Sequence, residues 1–142
     1  MIKDNHGQVA LEYLLIFTIS LILLIVFTLP LVDMTIENTF DVTDAINVKA
    51  DLDKITQAIK QVYGEGQGAK QTVNINLKES IKINFDSNTI STNLKLSDGS
   101  YKFIKLKYNS NLPKASISLN KGTNTLIVEW PNDSSNMKIY KK

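Results

Sequence analysis

An uncharged run of twenty residues near the start of the chain, from Tyr13 to Val32, constrains the fold more than any other feature. At about 1.5 Å per residue, a helix of this length measures about 30 Å, the thickness of the hydrocarbon core of a bilayer. A buried helix of a soluble protein is rarely apolar on every side for so long, because one face normally meets water. We therefore interpret the run as a membrane helix.

An ordinary secretory signal or a plain membrane anchor explains this run only in part. Residues 33–36, which follow it, contain no small-x-small cleavage site, and the run is longer than a usual signal core. A single-pass anchor fits the length but leaves two residues without a role. Glu12, directly before the run, either has a partner or lies at the level of the lipid headgroups. Pro30 either bends the helix or is a tolerated proline at the membrane exit.

The residue types that are missing from the sequence exclude several kinds of site. The chain has no cysteine, so disulfides and thiolate metal sites are excluded. Its one histidine, His6, precedes the apolar run. Catalysis or metal binding through imidazole in the C-terminal part is therefore excluded as well.

Charge is unevenly distributed along the chain. Residues 33–65 contain seven acidic side chains and three lysines, whereas residues 66–142 contain twelve lysines and five acids, a net of +7. A basic region can bind nucleic acid or another anionic surface, but lysines that alternate out of β-strands also keep sheet edges soluble. Because the chain has no arginine, we favour the second interpretation and expect no specific nucleic-acid partner.

A helical pattern continues beyond the uncharged run. Apolar residues recur there at spacings of three and four: Val48, Leu52, Ile55, Ile59 and Val62. Three glycines in residues 64–68 are expected to end the helix after Tyr63. We therefore predict one long helix, with a membrane part at 8–32 and an amphipathic continuation at 33–63, and then a glycine-rich linker.

Residues 69–142, called the β head below, alternate between apolar and polar side chains as strands with one buried face do. Six or seven short strands are predicted, with turns at 86–89, 97–100 and 120–123. The apolar phase shifts by one between Phe103 and Ile104, so a β-bulge is expected there. The chain is thus predicted to be α+β, a long N-terminal hydrophobic helix followed by an antiparallel β head.

No group of side chains in the β head suggests catalysis. Its carboxylates are scattered and mostly near turns: Glu79, Asp86, Asp98, Glu129 and Asp133. The glycines at 64–68 lack the Lys-Ser/Thr of a phosphate-binding loop. We therefore expect neither enzymatic activity nor a cofactor. Asn132-Asp133-Ser134 matches the N-glycosylation sequon, which makes Asn132 a candidate glycosylation site.

The first thirteen residues, MIKDNHGQVALEY, resemble the class III signal peptide of archaeal type IV pilin-like proteins. The resemblance rests on Gly7, on Gln8, on a glutamate four residues later at Glu12, and on the apolar helix that follows. In that family a membrane-embedded aspartyl prepilin peptidase cuts between the glycine and the glutamine. The resemblance implies a leader at residues 1–7, a cut between Gly7 and Gln8, and a mature chain that begins at Gln8.

The physical chemistry of the segment agrees with such a cut. Cleavage after Gly7 removes Lys3, the positive residue before the apolar helix, and leaves that helix at the new N-terminus. Glycine has no side chain and so lets a protease approach the backbone closely. Lys3 before the run and Asp33 after it favour a leader in the cytoplasm and a β head outside.

The resemblance also implies partners. Glu12 would pair with the N-terminal amine of a neighbouring pilin subunit; if Gln8 cyclises to a pyroglutamyl ring, Glu12 would instead accept hydrogen bonds. Pro30 would supply a kink like that of bacterial pilins. The other implied partners are the prepilin peptidase, the pilus assembly ATPase with its platform machinery, and the membrane before assembly.

The expected function is that of a structural subunit of a surface pilus that takes part in adhesion. A membrane-anchored surface binding protein that never polymerises is the alternative, and an anchored enzyme is a third. Archaellins are related filament proteins, but their leaders lack the Gln-to-Glu pattern. The resemblance therefore favours pili.

Overall fold

The computed structural model describes residues 5–142, with side chains from Val9 onward. Within these residues the fold is α+β, as predicted, with one long helix followed by seven strands in two antiparallel sheets. The chain divides into two compact units, one that ends at Phe40 and one that spans Asp41–Lys142. Lys3 and the rest of residues 1–4 of the expected leader lie outside the described residues.

Helix α1 spans Asn5–Glu65 and contains Pro30. It ends two residues later than the predicted end at Tyr63, because Gly64 is still helical. Gly66 has a φ of +89°, which cannot continue a right-handed helix, and its N–H donates to the carbonyl of Val62 at 3.0 Å. The second glycine of the linker, and not the first, is therefore the one that ends α1.

Seven strands follow α1 within the described residues: β1 Lys70–Leu77, β2 Ile81–Asp86, β3 Thr89–Lys95, β4 Tyr101–Lys107, β5 Ala115–Leu119, β6 Gly122–Glu129 and β7 Lys138–Lys141. They form a three-stranded sheet in the order β1-β6-β7 and a four-stranded sheet in the order β4-β3-β2-β5. Every pair is antiparallel. The three predicted turns each lie between two consecutive strands, which confirms them.

A single hydrophobic cluster in the second unit takes side chains from α1 and from both sheets. The predicted stripe of α1 is buried in it, and Leu52, Ile55 and Ile59 are at most 1 % exposed. Full burial of one such side chain contributes about 1.5–3 kcal/mol. The stripe therefore fixes the second half of α1 against the inward-facing residues of the strands.

Two aspartates of α1 add polar contacts to this packing. Asp41 accepts hydrogen bonds from the backbone N–H of Ser97 at 3.0 Å and from its hydroxyl at 2.7 Å. Asp44 forms an ion pair with Lys78, just after β1. These contacts hold the loop between β3 and β4 and the end of β1 beside the helix.

The β-bulge expected near Phe103 is wrong. β3 and β4 pair without interruption from Thr89 opposite Lys107 to Lys95 opposite Tyr101. Ile104 faces the core at 8 % exposure, whereas Phe103 on the other face is 62 % exposed. The shift in apolar phase therefore reflects apolar side chains on both faces of β4, not an extra residue in the strand.

Candidate functional site

The N-terminal part of α1 presents an apolar surface that no described part of the chain covers. Every side chain from Val9 to Phe40 is exposed. Two large aromatic residues in this stretch, Phe17 and Phe27, are 67 % and 69 % exposed. Apolar side chains exposed in such number require lipid or other apolar helices around them.

Threonine hydroxyls on this helix are bonded within the helix itself. Thr18 donates to the carbonyl of Leu14 and Thr35 to that of Leu31, each at 2.8 Å. A hydroxyl bonded four residues back needs no outside partner, which lowers the cost of placing it in lipid. Among the described residues, one helix is long and apolar enough to cross a membrane, and its most apolar stretch is not buried in the protein.

The residues of the expected processing site lie at the beginning of this apolar surface. The backbone of Gly7 and of Gln8 belongs to α1, and Glu12 is exposed on the same helix. Residues four apart lie on one face of a helix, one turn from each other, so Glu12 follows Gln8 along the axis. The cut, the role of Glu12 and the kink at Pro30 remain predictions.

The candidate glycosylation site lies in a turn between β6 and β7. Asn132 is exposed. The turn is held by the carbonyl of Ser134, which accepts from the indole N–H of Trp130 at 2.9 Å and from the side-chain amide of Gln67 at 3.0 Å. Gly68 has a φ of +92°, and a Cβ there would stand 2.8 Å from Oδ1 of Asn132. The positive φ therefore favours glycine at position 68, beside the sequon. Glycosylation of Asn132 remains a prediction, and the mass of a glycan on the Asn132 peptide would test it.

A stacked aromatic pair connects α1 to this turn. The rings of Tyr63 and Trp130 are parallel within 4°, with centroids 5.7 Å apart. The backbone N–H of Trp130 donates to the carbonyl of Ala69 at 2.9 Å, and its own carbonyl accepts from Gly68 at 2.7 Å. These bonds extend the pairing of β1 and β6 up to the linker, so the end of α1 is joined to the sheet by both stacking and backbone.

A cleft of about 600 Å³ lies beside the second half of α1, and three aspartates of its lining are engaged in structural contacts. Asp44 pairs with Lys78, Asp51 pairs with Lys54 at 2.8 Å, and Asp41 holds Ser97 as described above. The described residues contain no group of His, Cys, Asp and Glu arranged to hold a metal ion. The roles of Asp41, Asp44 and Asp51 in this cleft are therefore structural.

Asp86 and Tyr108 form a polar cluster where β2 ends. The backbone N–H of Ser87 donates to the carboxylate of Asp86 at 2.8 Å and Lys114 pairs with it at 3.2 Å, and both contacts hold the pKa of Asp86 below 3.8. The hydroxyl of Tyr108 donates to the backbone carbonyl of Asp86 at 2.6 Å. Burial, together with the nearby carboxylate, raises the pKa of Tyr108 to about 12.

Sequence reasoning missed one surface, on the side of the four-stranded sheet that faces away from the core. We call it the outer face. It carries the exposed rings of Tyr101 and Phe103 on the edge strand β4. The shift in apolar phase within β4 was the signal that could have found it, since one of the two apolar sets had to face outward.

Comparison with known proteins identifies the N-terminal segment alone. Residues 5–31 match the family model of the class III signal peptide. No curated protein and no solved structure gives a significant match to the chain. The matched segment contains Gly7, Gln8, Glu12 and Pro30, and it coincides with the start of the exposed apolar helix. The chain therefore carries a class III signal peptide, the hallmark of archaeal type IV pilin-like prepilins.

Proposed function

We propose that this chain is a structural subunit of an archaeal type IV-like pilus, cut by a prepilin peptidase and polymerised through its N-terminal helix. The observation that carries the proposal is the coincidence of two features in one segment. The class III signal spans residues 5–31, and the same stretch of α1 is an apolar helix without a covering partner in the described chain.

The proposed division of the chain follows from this assignment. Residues 1–7 are the leader, residues 8–32 form the membrane and later the filament-core helix, and residues 33–63 continue it. Residues 64–68 link the helix to the β head, residues 69–142. Before assembly the helix lies in the membrane with the β head outside, and after assembly the β head coats the pilus.

Polymerisation follows from the energetics of the apolar helix. Each apolar square ångström removed from water contributes about 25 cal/mol, and close packing adds dispersion contacts between neighbouring helices. Once the helix leaves the lipid, side chains such as Leu14, Phe17 and Phe27 are buried only if other helices surround them. Copies of the same helix from other subunits supply that surrounding. Adhesion would follow from β heads displayed along the filament.

The assignment also defines the partners of the chain. Before export these are the membrane and the prepilin peptidase. During assembly they are the assembly ATPase, its platform machinery and other pilin subunits. A membrane-anchored surface protein that never polymerises has the same helix and β head. It differs in that the bond between Gly7 and Gln8 stays uncut, or the processed form never leaves the membrane.

Changing the residue before the proposed cut tests the assignment. In Gly7→Val the branched side chain hinders approach to the scissile backbone, so we expect the precursor to accumulate at full length, seven residues longer than the mature chain. The mass of the intact protein in membranes measures this. Gly64→Ala is the matched control, because a Cβ at Gly64 meets nothing within 4 Å, and its processing should be normal. Normal processing of Gly7→Val would contradict the proposed cut.

A further inference from the structure

The outer face of the four-stranded sheet carries two aromatic rings that the fold does not use. Tyr101 and Phe103 are 68 % and 62 % exposed, while Phe85 in the same sheet is 3 % exposed in the core. Alternate residues of a strand point to the same side about 7 Å apart, so the two rings lie next to each other along β4. Large apolar side chains grouped on a surface indicate a binding site more often than isolated ones do.

Around these rings the outer face is positively charged. Lys82, Lys95, Lys105 and Lys107 are exposed on it, and none forms an ion pair within the described residues. The carboxylate of Asp86 on the same face is engaged by Lys114 and by the N–H of Ser87. Four unpaired ammonium groups therefore surround the rings, which favours an anionic partner.

The centre of the outer face is lined by short polar side chains. Asn84, Ser91, Asn93 and Ser116 lie between the lysines, and the hydroxyl of Ser116 donates to Oδ1 of Asn84 at 3.1 Å. A shallow depression of about 540 Å³ lies over part of this surface. Hydroxyl and amide groups spaced along a flat sheet suit a ligand with many hydroxyls of its own.

We infer that the outer face binds an acidic polysaccharide, with sugar rings against Tyr101 and Phe103 and acidic groups against the lysines. A single-stranded nucleic acid also uses aromatic rings and positive charge. The short amide and hydroxyl side chains favour the polysaccharide. The absence of arginine also favours it, because arginine is the side chain best suited to bidentate hydrogen bonding with phosphate. The inference rests on the proposed function in one respect: the β head must be displayed outside the cell to meet such a polymer.

Binding of defined polymers to the purified full-length chain in detergent tests the inference. Dextran sulfate and polygalacturonate should bind, and neutral dextran and oligo(dT) should bind at least about tenfold more weakly, a difference of about 1.4 kcal/mol. Lys105→Gln/Lys107→Gln and Tyr101→Ala/Phe103→Ala should each weaken dextran sulfate binding about tenfold. The matched control is Lys138→Gln/Lys141→Gln, which removes two exposed lysines from β7 in the other sheet. Its affinity should stay within about twofold of the unaltered chain.

Several results would overturn the inference. Tighter binding of oligo(dT), or equal binding of neutral dextran, would assign the face to another class of ligand. An equal loss in the β7 control would show that net charge alone matters, and an unchanged Tyr101→Ala/Phe103→Ala would remove the aromatic rings from the site. Loss of filaments in Lys105→Gln/Lys107→Gln would make the face a contact between subunits. Because processing at Gly7 is measured separately, failure of polysaccharide binding with normal processing would leave the proposed function intact.

Discussion

Glu12 is a carboxylate on a helix whose neighbouring side chains are apolar and exposed. At the centre of a bilayer such a charge costs about 2.5–3.5 kcal/mol, and less near the headgroups. Inside a bundle of apolar helices it requires a partner, because an unpaired buried charge destabilises strongly. In the proposed filament the N-terminus at Gln8 of a neighbouring subunit supplies that partner, as a charged amine or as a pyroglutamyl hydrogen-bond donor.

Removing this carboxylate is expected to block assembly and spare processing. In Glu12→Ala the cut should occur normally, while the amount of filament sheared from cells should fall at least about tenfold, because the neighbour's terminus is left unpaired. Electron microscopy and the protein content of the sheared fraction measure this. Glu37→Ala, which removes another exposed carboxylate of α1, is the control. Filament yield equal to that of the unaltered chain would remove Glu12 from assembly.

Tyr108 gives the β head a pH dependence on the alkaline side. Burial raises the pKa of its phenol from the ordinary value of 10.0 to about 12 in the folded state, and an unfolded chain keeps the ordinary value. Below pH 10 both states keep the proton, so the contribution of the buried phenol is fully present. Between pH 10 and about 12 the unfolded state loses the proton first, which favours unfolding, and the contribution is lost across that window.

We therefore expect the melting temperature of the full-length chain to fall more steeply between pH 10 and pH 12 than that of Tyr108→Phe. The variant loses the hydrogen bond to the carbonyl of Asp86, which costs about 1 kcal/mol at neutral pH, but it has no proton to release. Thermal unfolding followed by circular dichroism measures both curves. Parallel curves would show that Tyr108 does not couple to stability.

Among the elements, the second half of α1 is held in place by the burial of its apolar stripe. Ile59 is 0 % exposed and belongs to the hydrophobic cluster that also contains side chains of both sheets. Ile59→Ala leaves a cavity there and should lower the free energy of unfolding of the unit Asp41–Lys142 by about 2–5 kcal/mol. Urea unfolding of the full-length chain in detergent measures this. The adjacent, exposed Lys60 provides the control, since Lys60→Ala should change stability by no more than about 0.5 kcal/mol. A loss at Ile59 no larger than at Lys60 would contradict the packing of this stripe.

The sequence predicted those elements whose pattern is local. The stripe from Val48 to Val62 repeats at helical spacing, and the strands alternate with period two, so both could be predicted without any partner. The sequence could not predict which of the two apolar sets of β4 faces away from the core. Tyr101 and Phe103 compete with Ile104 and Leu106 for the core, and pairing with β3 decides between them, because the core-facing Ile90 and Leu94 of that strand set the register.

The order of the strands in the two sheets could not be predicted from the sequence either. β1 pairs with β6, from Lys70 opposite Glu129 to Leu77 opposite Gly122, across most of the β head. Nothing local in either strand specifies such a partner, because pairing depends on how the whole core closes. In contrast, the candidate processing residues could be predicted from the sequence alone. Gly7, Gln8 and Glu12 are recognised by their spacing along one segment. The outer face could not be predicted from the sequence, because its polar and aromatic side chains come from different strands whose pairing was unknown.

At the scale of the whole molecule, the two ends of the chain have different proposed roles. In the proposed pilus the N-terminal segment carries the signal, the membrane helix and the contacts between subunits, and the β head carries the surface that meets the surroundings. The uneven charge agrees with this division, since twelve of the lysines belong to residues 66–142, where the outer face is formed. The proposal therefore requires that the leader is removed, so that the mature chain begins at Gln8.

The mass of the N-terminal peptide in the native protein is the most direct test of the proposed processing and assembly. It should be measured in filaments sheared from the cell surface and, separately, in membranes. We expect a peptide that begins at Gln8, with either a free or a cyclised terminus, in the sheared fraction. A peptide that begins at Met1 and occurs only in membranes would contradict this expectation, and would make the chain an anchored surface protein that does not polymerise.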